Sequence, residues 1–252
     1  MEKVHSRPKS LKNVSSTYCP GCLHGVAHNL IAGTLDDFGL REKTVAFLPV
    51  GCSGLGLLYW NVDNIACSHG RAPAAATGYK RMLPDKMVFT YQGDGDLASI
   101  GLAEIMHCAN RGENIITFFV NNGVYGMTGG QMAPTTLIGQ KTTTSQKGRD
   151  IESTGYPLKM CELIAQLDAP VYVARFSLDS AINIKKAQKG IRKAFELQMA
   201  GAGYVFIELL SNCPTCWGMS TLDSLKWMKE NSIPFFPLGE FKIPEGEEEN
   251  GK

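Results

Sequence analysis

Two aspartates set among glycines, followed at a distance by paired asparagines, are the residues in this chain whose types and spacing could do chemistry. Gly93-Asp94-Gly95-Asp96 comes first and Asn121-Asn122 second. The segment 96–120 between the GDG triplet and the asparagines holds 25 residues, enough for one helix and one strand. Neighbouring strand ends could therefore bring both groups to one ion. Magnesium takes about six oxygen ligands in near-octahedral geometry and usually shares them between protein and phosphates. Asp94 offers a carboxylate, Asn122 an amide oxygen, and Val124 a backbone carbonyl two residues on. Gly93 and Gly95 let the backbone approach a diphosphate closely, and the glycines after Asn122 could do the same. A helix starting near Ala98 would aim its N-terminal amides at the anion.

Cysteine is the second chemical signal, with eight in the chain. Cys19-Pro20-Gly21-Cys22 is a C-x-x-C, open to a zinc knuckle, a redox pair or half of a cluster site. Cys52, in Gly51-Cys52-Ser53, and Cys213, in Cys213-Pro214-Thr215-Cys216, stand in turns after expected strands. Four thiolates could then meet in space, as zinc or an iron–sulfur cluster requires, and ligand identity alone does not separate the two. Cys67, Cys108 and Cys161 lie in apolar contexts and are expected to be small buried hydrophobes.

The GDG and NN spacing resembles the thiamine-diphosphate motif of thiamine-dependent enzymes. Over roughly residues 15–238 the chain further resembles the β subunits of 2-oxoacid:ferredoxin oxidoreductases. The segments that carry this likeness are CPGC, GCS, HGRA, GDGD, NNGVYGMTGGQ and CPT. The resemblance implies magnesium on Asp94, Asn122 and Val124, and a [4Fe–4S] cluster on Cys19, Cys22, Cys52 and Cys213, with Cys216 the rival for the fourth place. It implies thiamine diphosphate among Gly51, Cys52, Ser53, His69, Gly70, Gly93, Asp94, Gly95, Asp96, Asn122, Val124, Gly126, Met127 and Thr128. His69 and Gly70 would lie near the diphosphate, and Thr128 would supply a hydroxyl contact. A cluster also makes better sense than structural zinc beside a thiamine site, because an oxidative reaction needs an electron acceptor.

The reaction so implied is coenzyme A-dependent oxidative decarboxylation of a 2-oxoacid to an acyl-CoA, with electrons passed to ferredoxin. The carboxylate that engages the aminopyrimidine comes, in this family, from a partner α subunit, so no catalytic residue is assigned here. Ferredoxin-like γ and δ subunits are expected as well. Gly129, where some members carry lysine, points to branched-chain acids such as 2-oxoisovalerate, with 2-oxoglutarate the alternative. A non-oxidative thiamine enzyme and a zinc-stabilised binding module are the competing readings. A dinucleotide-binding dehydrogenase is weaker, because residues 51–56 read G-x-x-G-x-G and not G-x-G-x-x-G.

Such groups need elements to position them. Strands are expected at 45–50, 87–91, 115–120, 170–176 and 203–210, and helices near 23–38, 72–83, 99–111, 157–168, 180–200 and 221–231. Continuous apolar strands alternating with helices give an α/β fold, a doubly wound and mostly parallel sheet of the thiamine-diphosphate-binding type. Residues 1–14 are expected as an N-terminal arm, 15–238 as the cofactor-binding domain with its iron–sulfur site, and 239–252 as a frayed acidic tail. The 25 basic and 24 acidic residues nearly cancel, which predicts no nucleic-acid or membrane partner. No apolar run approaches the roughly 20 residues of a spanning helix, and with no export signal the chain is expected in the cytoplasm.

Overall fold

The structure is a computed structural model that describes residues 6–244 and 246. Its frame is a seven-stranded sheet. The strands, in chain order, are β1 (Thr44–Leu48), β2 (Asp63–Ala66), β3 (Met87–Gly93), β4 (Ile116–Asn121), β7 (Tyr172–Ser177), β8 (Val205–Leu210) and β9 (Gly239–Lys242). A separate two-stranded hairpin, β5 (Val124–Tyr125) and β6 (Gln131–Met132), lies between β4 and β7. Spatial order across the sheet is β2-β1-β3-β4-β8-β7-β9, with every pairing parallel except β7 with β9.

Every residue of β1, β4 and β8 is buried, which explains their unbroken apolar runs: a central parallel strand is covered on both faces. Successive residues serve opposite layers. Phe118 belongs to the core beneath helices His24–Asp37 and Ala181–Met199, whereas Phe119 belongs to the core beneath Ala72–Met82, Leu102–Asn110 and Met160–Ala165. Ala181–Met199 buries Ala187, Gly190, Ile191, Ala194 and Phe195, a stripe at helical spacing. Gly190 is a glycine because a Cβ there would sit 2.2 Å from the Phe176 ring.

Three segments differ from the sequence expectation. Asp96–Ile100 is a π-helical turn and the regular helix begins only at Leu102, so the helix expected from Ala98 does not point a clean first turn at the β3 end. Within the expected arm, Ser10 and Leu11 are buried, and Leu11 bridges to Trp60. Residues 239–242 of the expected tail form β9, while the end of that tail, 247–252, lies outside the described residues. No helix among the described residues is long and apolar enough to cross a membrane.

Candidate functional site

The chain leaves β1 outward to β2, then returns across β1 to place β3 on its other side. Crossover direction therefore reverses between β1 and β3, and a crevice opens beyond their carboxyl ends. A cavity of about 110 Å³ occupies that place. Its wall contains Gly51, Cys52 and Ser53 after β1, His69 after β2, Gly93, Asp94, Gly95 and Asp96 at the end of β3 and just beyond it, and Asn122, Val124, Gly126, Met127 and Thr128 after β4. Of the expected cofactor residues only Gly70 is absent from the lining; His24, Val50 and Tyr125 are present without having been expected.

Asp94 is 2% exposed and its carboxylate is heavily solvated by the protein itself. Gly95 N–H donates to Oδ1 at 3.0 Å and the Thr135 hydroxyl to Oδ2 at 2.9 Å, with the amides of Gly123 and Asn122 close by. Burial raises its pKa to about 6, and those donors are what keep it from rising further. Asn122 Oδ1 accepts the Val124 N–H at 3.2 Å, so the amide oxygen is held near the β4 end by its own turn. Gly95 carries no side chain for a reason separate from backbone freedom: a Cβ there would lie 2.2 Å from the Tyr125 ring. The ring of the β5–β6 hairpin thus rests directly on the GDGD turn.

Asp96 points the other way and organises the HGR segment. It accepts from Gln92 Nε2 at 2.5 Å, from the Gly70 N–H at 2.6 Å, and sits 2.5 Å from His69 Nδ1. Burial lifts this carboxyl above its ordinary range, against the pull of those three partners. An acceptor on Nδ1 fixes the proton there and turns Nε2 into the ring nitrogen available to the cavity side. Gly70 therefore acts from behind, with φ of +76° and Gly101 packed so closely that a Cβ would meet its amide at 2.6 Å. Ser53 Oγ is buried with no partner among the described residues, an orphan polar atom on the cavity wall that a bound anion would satisfy.

The cysteines converge beside this cavity and none is in a disulfide. A Cβ on Gly126 would lie 3.2 Å from Cys52 Sγ, 3.7 Å from Cys213 Sγ and 3.9 Å from Asn122 Nδ2. Cys216 Sγ approaches Gly126 O at 3.4 Å. Burial, followed by the negative charge that Cys22, Cys216 and Cys19 would carry, pushes the Cys52 thiol up to about 12. Cys213 rises as well, through burial and then Cys216 and Cys22. Five sulfurs thus share one neighbourhood, although no three His, Cys, Asp or Glu side chains among the described residues are grouped to hold a single metal ion. In the CPGC turn Gly21 has φ of +79° and lies where any Cβ would strike Thr221 at 2.2 Å.

Residues 50–209 match the family described as thiamine pyrophosphate enzyme, C-terminal TPP binding domain. The chain belongs to this thiamine pyrophosphate enzyme family. Among curated relatives, it is 45% identical to the ketoisovalerate oxidoreductase subunit VorA of Methanothermobacter thermautotrophicus, over 98% of this chain and 54% of that protein. It is 36% identical to the 2-oxoglutarate synthase subunit KorB of Methanocaldococcus jannaschii, over 93% of this chain and 84% of that protein. The chain spans about half the length of the VorA relatives it matches. The fold is also that of 2-oxoglutarate:ferredoxin oxidoreductase from Magnetococcus marinus, with a TM-score of 0.78, 24% identity and coverage of 94% of this chain and 84% of that one.

Around this cavity, sequence reasoning missed Thr135, Tyr125 and His24. Thr135 reaches Asp94 from 41 residues away, and only its place in the Gly- and Thr-rich loop could have marked it. Thr128, the hydroxyl expected to matter, lines the cavity but donates to Gln131 Oε1 at 2.6 Å. His24 Nδ1 is 2.7 Å from Tyr91 Oη, and both are buried. Cys108 and Cys161 are fully buried in the core as expected, whereas Cys67 is half-buried at the end of β2.

Proposed function

We propose that this chain is the cofactor-binding β subunit of a 2-oxoacid:ferredoxin oxidoreductase that converts a 2-oxoacid and coenzyme A to an acyl-CoA. The observation that carries the reading is one switch-point cavity whose wall joins the GDGD turn, the NN turn and a nest of thiols. Asp94, Asn122 and the Val124 carbonyl are the groups for magnesium. Gly93, where a Cβ would meet nothing nearer than Ser53 Oγ at 3.8 Å, and Ser53, with its unpartnered hydroxyl, mark the place for the diphosphate, with His69 oriented beside it by Asp96.

Cys19, Cys22, Cys52 and Cys213 are the proposed cluster ligands, with Cys216 beside them. An iron–sulfur cluster is preferred to zinc because an oxidative reaction at the neighbouring cofactor needs an electron acceptor, which zinc is not. When bound, thiamine diphosphate supplies the carbanion stabilisation that decarboxylation of a 2-oxoacid requires, and the cluster a one-electron acceptor. Gly126 is the chain's own contribution to their coupling: lacking a side chain, it brings Cys52 and Cys213 next to the Asn122 amide.

A cavity of about 110 Å³ is small beside the roughly 300 Å³ that a drug-sized ligand needs. That size suits the diphosphate end alone, and supports an α subunit covering the pyrimidine end and supplying the missing carboxylate. Ferredoxin-like γ and δ subunits and ferredoxin itself complete the proposed assembly, placed in the cytoplasm. The higher identity to a ketoisovalerate subunit than to a 2-oxoglutarate one favours branched-chain 2-oxoacids.

The test is anaerobic co-expression with an α-type chain, iron and sulfide analysis, and viologen reduction across a panel of 2-oxoacids with coenzyme A. Branched-chain acids should turn over fastest. Asp94→Ala should abolish both magnesium-dependent thiamine diphosphate binding and turnover, and full binding by that variant would sink the reading.

A further inference from the structure

Behind the NN turn lies a buried charged chain that the proposed chemistry does not use. Arg175 and Glu208, on adjacent strands β7 and β8, are both 0% exposed. Their register places them side by side, and Glu208 is paired with Phe119 on β4. Alternation along β4 then puts Asn121, two residues after Phe119, on this same sheet face. Glu208 Oε1 accepts the Asn121 side-chain amide at 2.8 Å. Its Oε2 lies 2.9 Å from Arg175 Nε, an ion-pair contact off the hydrogen-bond angle. Arg175 donates both remaining arms to Glu162, at 3.0 and 2.6 Å.

Elsewhere on this face the neighbouring positions are Val173, Phe206 and Phe119, all apolar core. A buried ion pair is generally no more stabilising than apolar side chains of like volume, so stability does not account for interrupting that core here. Arg175 also donates to the Pro237 carbonyl at 3.1 Å and Glu208 also meets the Cys161 thiol, but toward the cavity this chain of charges ends on the first asparagine of the NN turn, whose side-chain amide donates to Glu208.

We infer that Glu208 is a positioning residue: it anchors the Asn121 amide from behind the sheet and thereby sets where Asn122 stands in the cavity, with Arg175 and Glu162 holding Glu208 in place. This inference rests on the reading of Asn122 as a magnesium-facing residue.

Two double variants that differ in a single acceptor test it, in the full chain assembled with its partner subunit. Arg175→Met with Glu208→Gln removes both charges but keeps an oxygen for Asn121; Arg175→Met with Glu208→Leu removes the oxygen too. The readouts are the magnesium concentration for half-maximal thiamine diphosphate binding, by calorimetry, and Tm. The glutamine pair should need near wild-type magnesium and the leucine pair about tenfold more, the scale of one lost hydrogen bond to a charged group, with similar Tm for both. Equal magnesium requirements in the two would overturn the inference.

Asn121→Val removes the anchored amide without touching the ion pair and should raise the requirement similarly. A wild-type requirement in this variant would overturn the inference even if neither double variant folds. Asn122→Ala separates the two layers of the argument: an unchanged requirement there defeats the magnesium reading itself. A raised requirement beside indifferent Glu208 and Asn121 variants defeats only the positioning.

Discussion

A carboxylate that is to meet a divalent cation inside a protein must be kept close to ionised while out of water. Asp94 achieves this with a ring of donors, and the Thr135 hydroxyl is the one member supplied by a side chain. Thr135→Val keeps the shape and removes that donor. It should weaken magnesium-dependent thiamine diphosphate binding by about tenfold in a titration, with little change in Tm, since one buried hydrogen bond to a charged group is worth roughly 1.5–3 kcal/mol. The GDG and NN residues were legible because their chemistry is written in residue type and because a helix plus a strand fixes the spacing between them. Thr135 was not, since a loop's path brings it to Asp94 and no periodicity reports a loop's path. Gly95 was legible as a glycine but for only part of its reason, as the Tyr125 ring above it could not be foreseen.

At the scale of elements, the long stretch between β4 and Met160–Ala165 gathers much of its backbone around one side chain. The Arg149 side chain is 5% exposed and donates to six carbonyls, those of Ala133, Pro134, Thr136, Thr154, Gly155 and Tyr156. It ties the segment that carries Thr135 to the short helix Ile151–Thr154. Arg149→Met should cost on the order of 3 kcal/mol in denaturant unfolding, because several buried carbonyls lose their donor at once. Limited proteolysis of the variant should cut first within 133–156. The five central strands and six helices could be read from apolar runs and helical spacing. The edge strands β2 and β9 could not: Asp63–Ala66 and Gly239–Lys242 are short, polar and half-exposed, as a sheet margin tends to be.

Across the whole molecule, two imidazoles are enclosed among aromatic rings beside the thiol nest. His24 stacks on Tyr18 at 4.8 Å, and His28 contacts Trp60 at 4.6 Å and Tyr91 at 4.9 Å. Burial lowers His24 to about 4; burial, and then His24, lowers His28 well below its usual value. Both are therefore neutral in the fold, while the unfolded chain takes up their protons from about pH 6.5 downward. Stability is fully present above about 6.5 and falls as the pH drops toward 4, by at most about 3 kcal/mol for His24 alone. His28→Phe should flatten part of that slope in apo-protein melts between pH 7 and 5, and an unaltered slope would show that His28 is not its source.

At the margin of the sheet, β9 lies antiparallel against β7, and its Phe241 ring covers the guanidinium of Arg175 at 4.8 Å. A version of the protein ending at Leu238 would present the amides and carbonyls of Tyr172–Ser177 as an open template for other chains, and would admit water to a charge now sealed from it. Such a truncation should elute from a sizing column as heterogeneous oligomers. β9 thus serves as a selvedge, keeping the woven strands from catching on their neighbours.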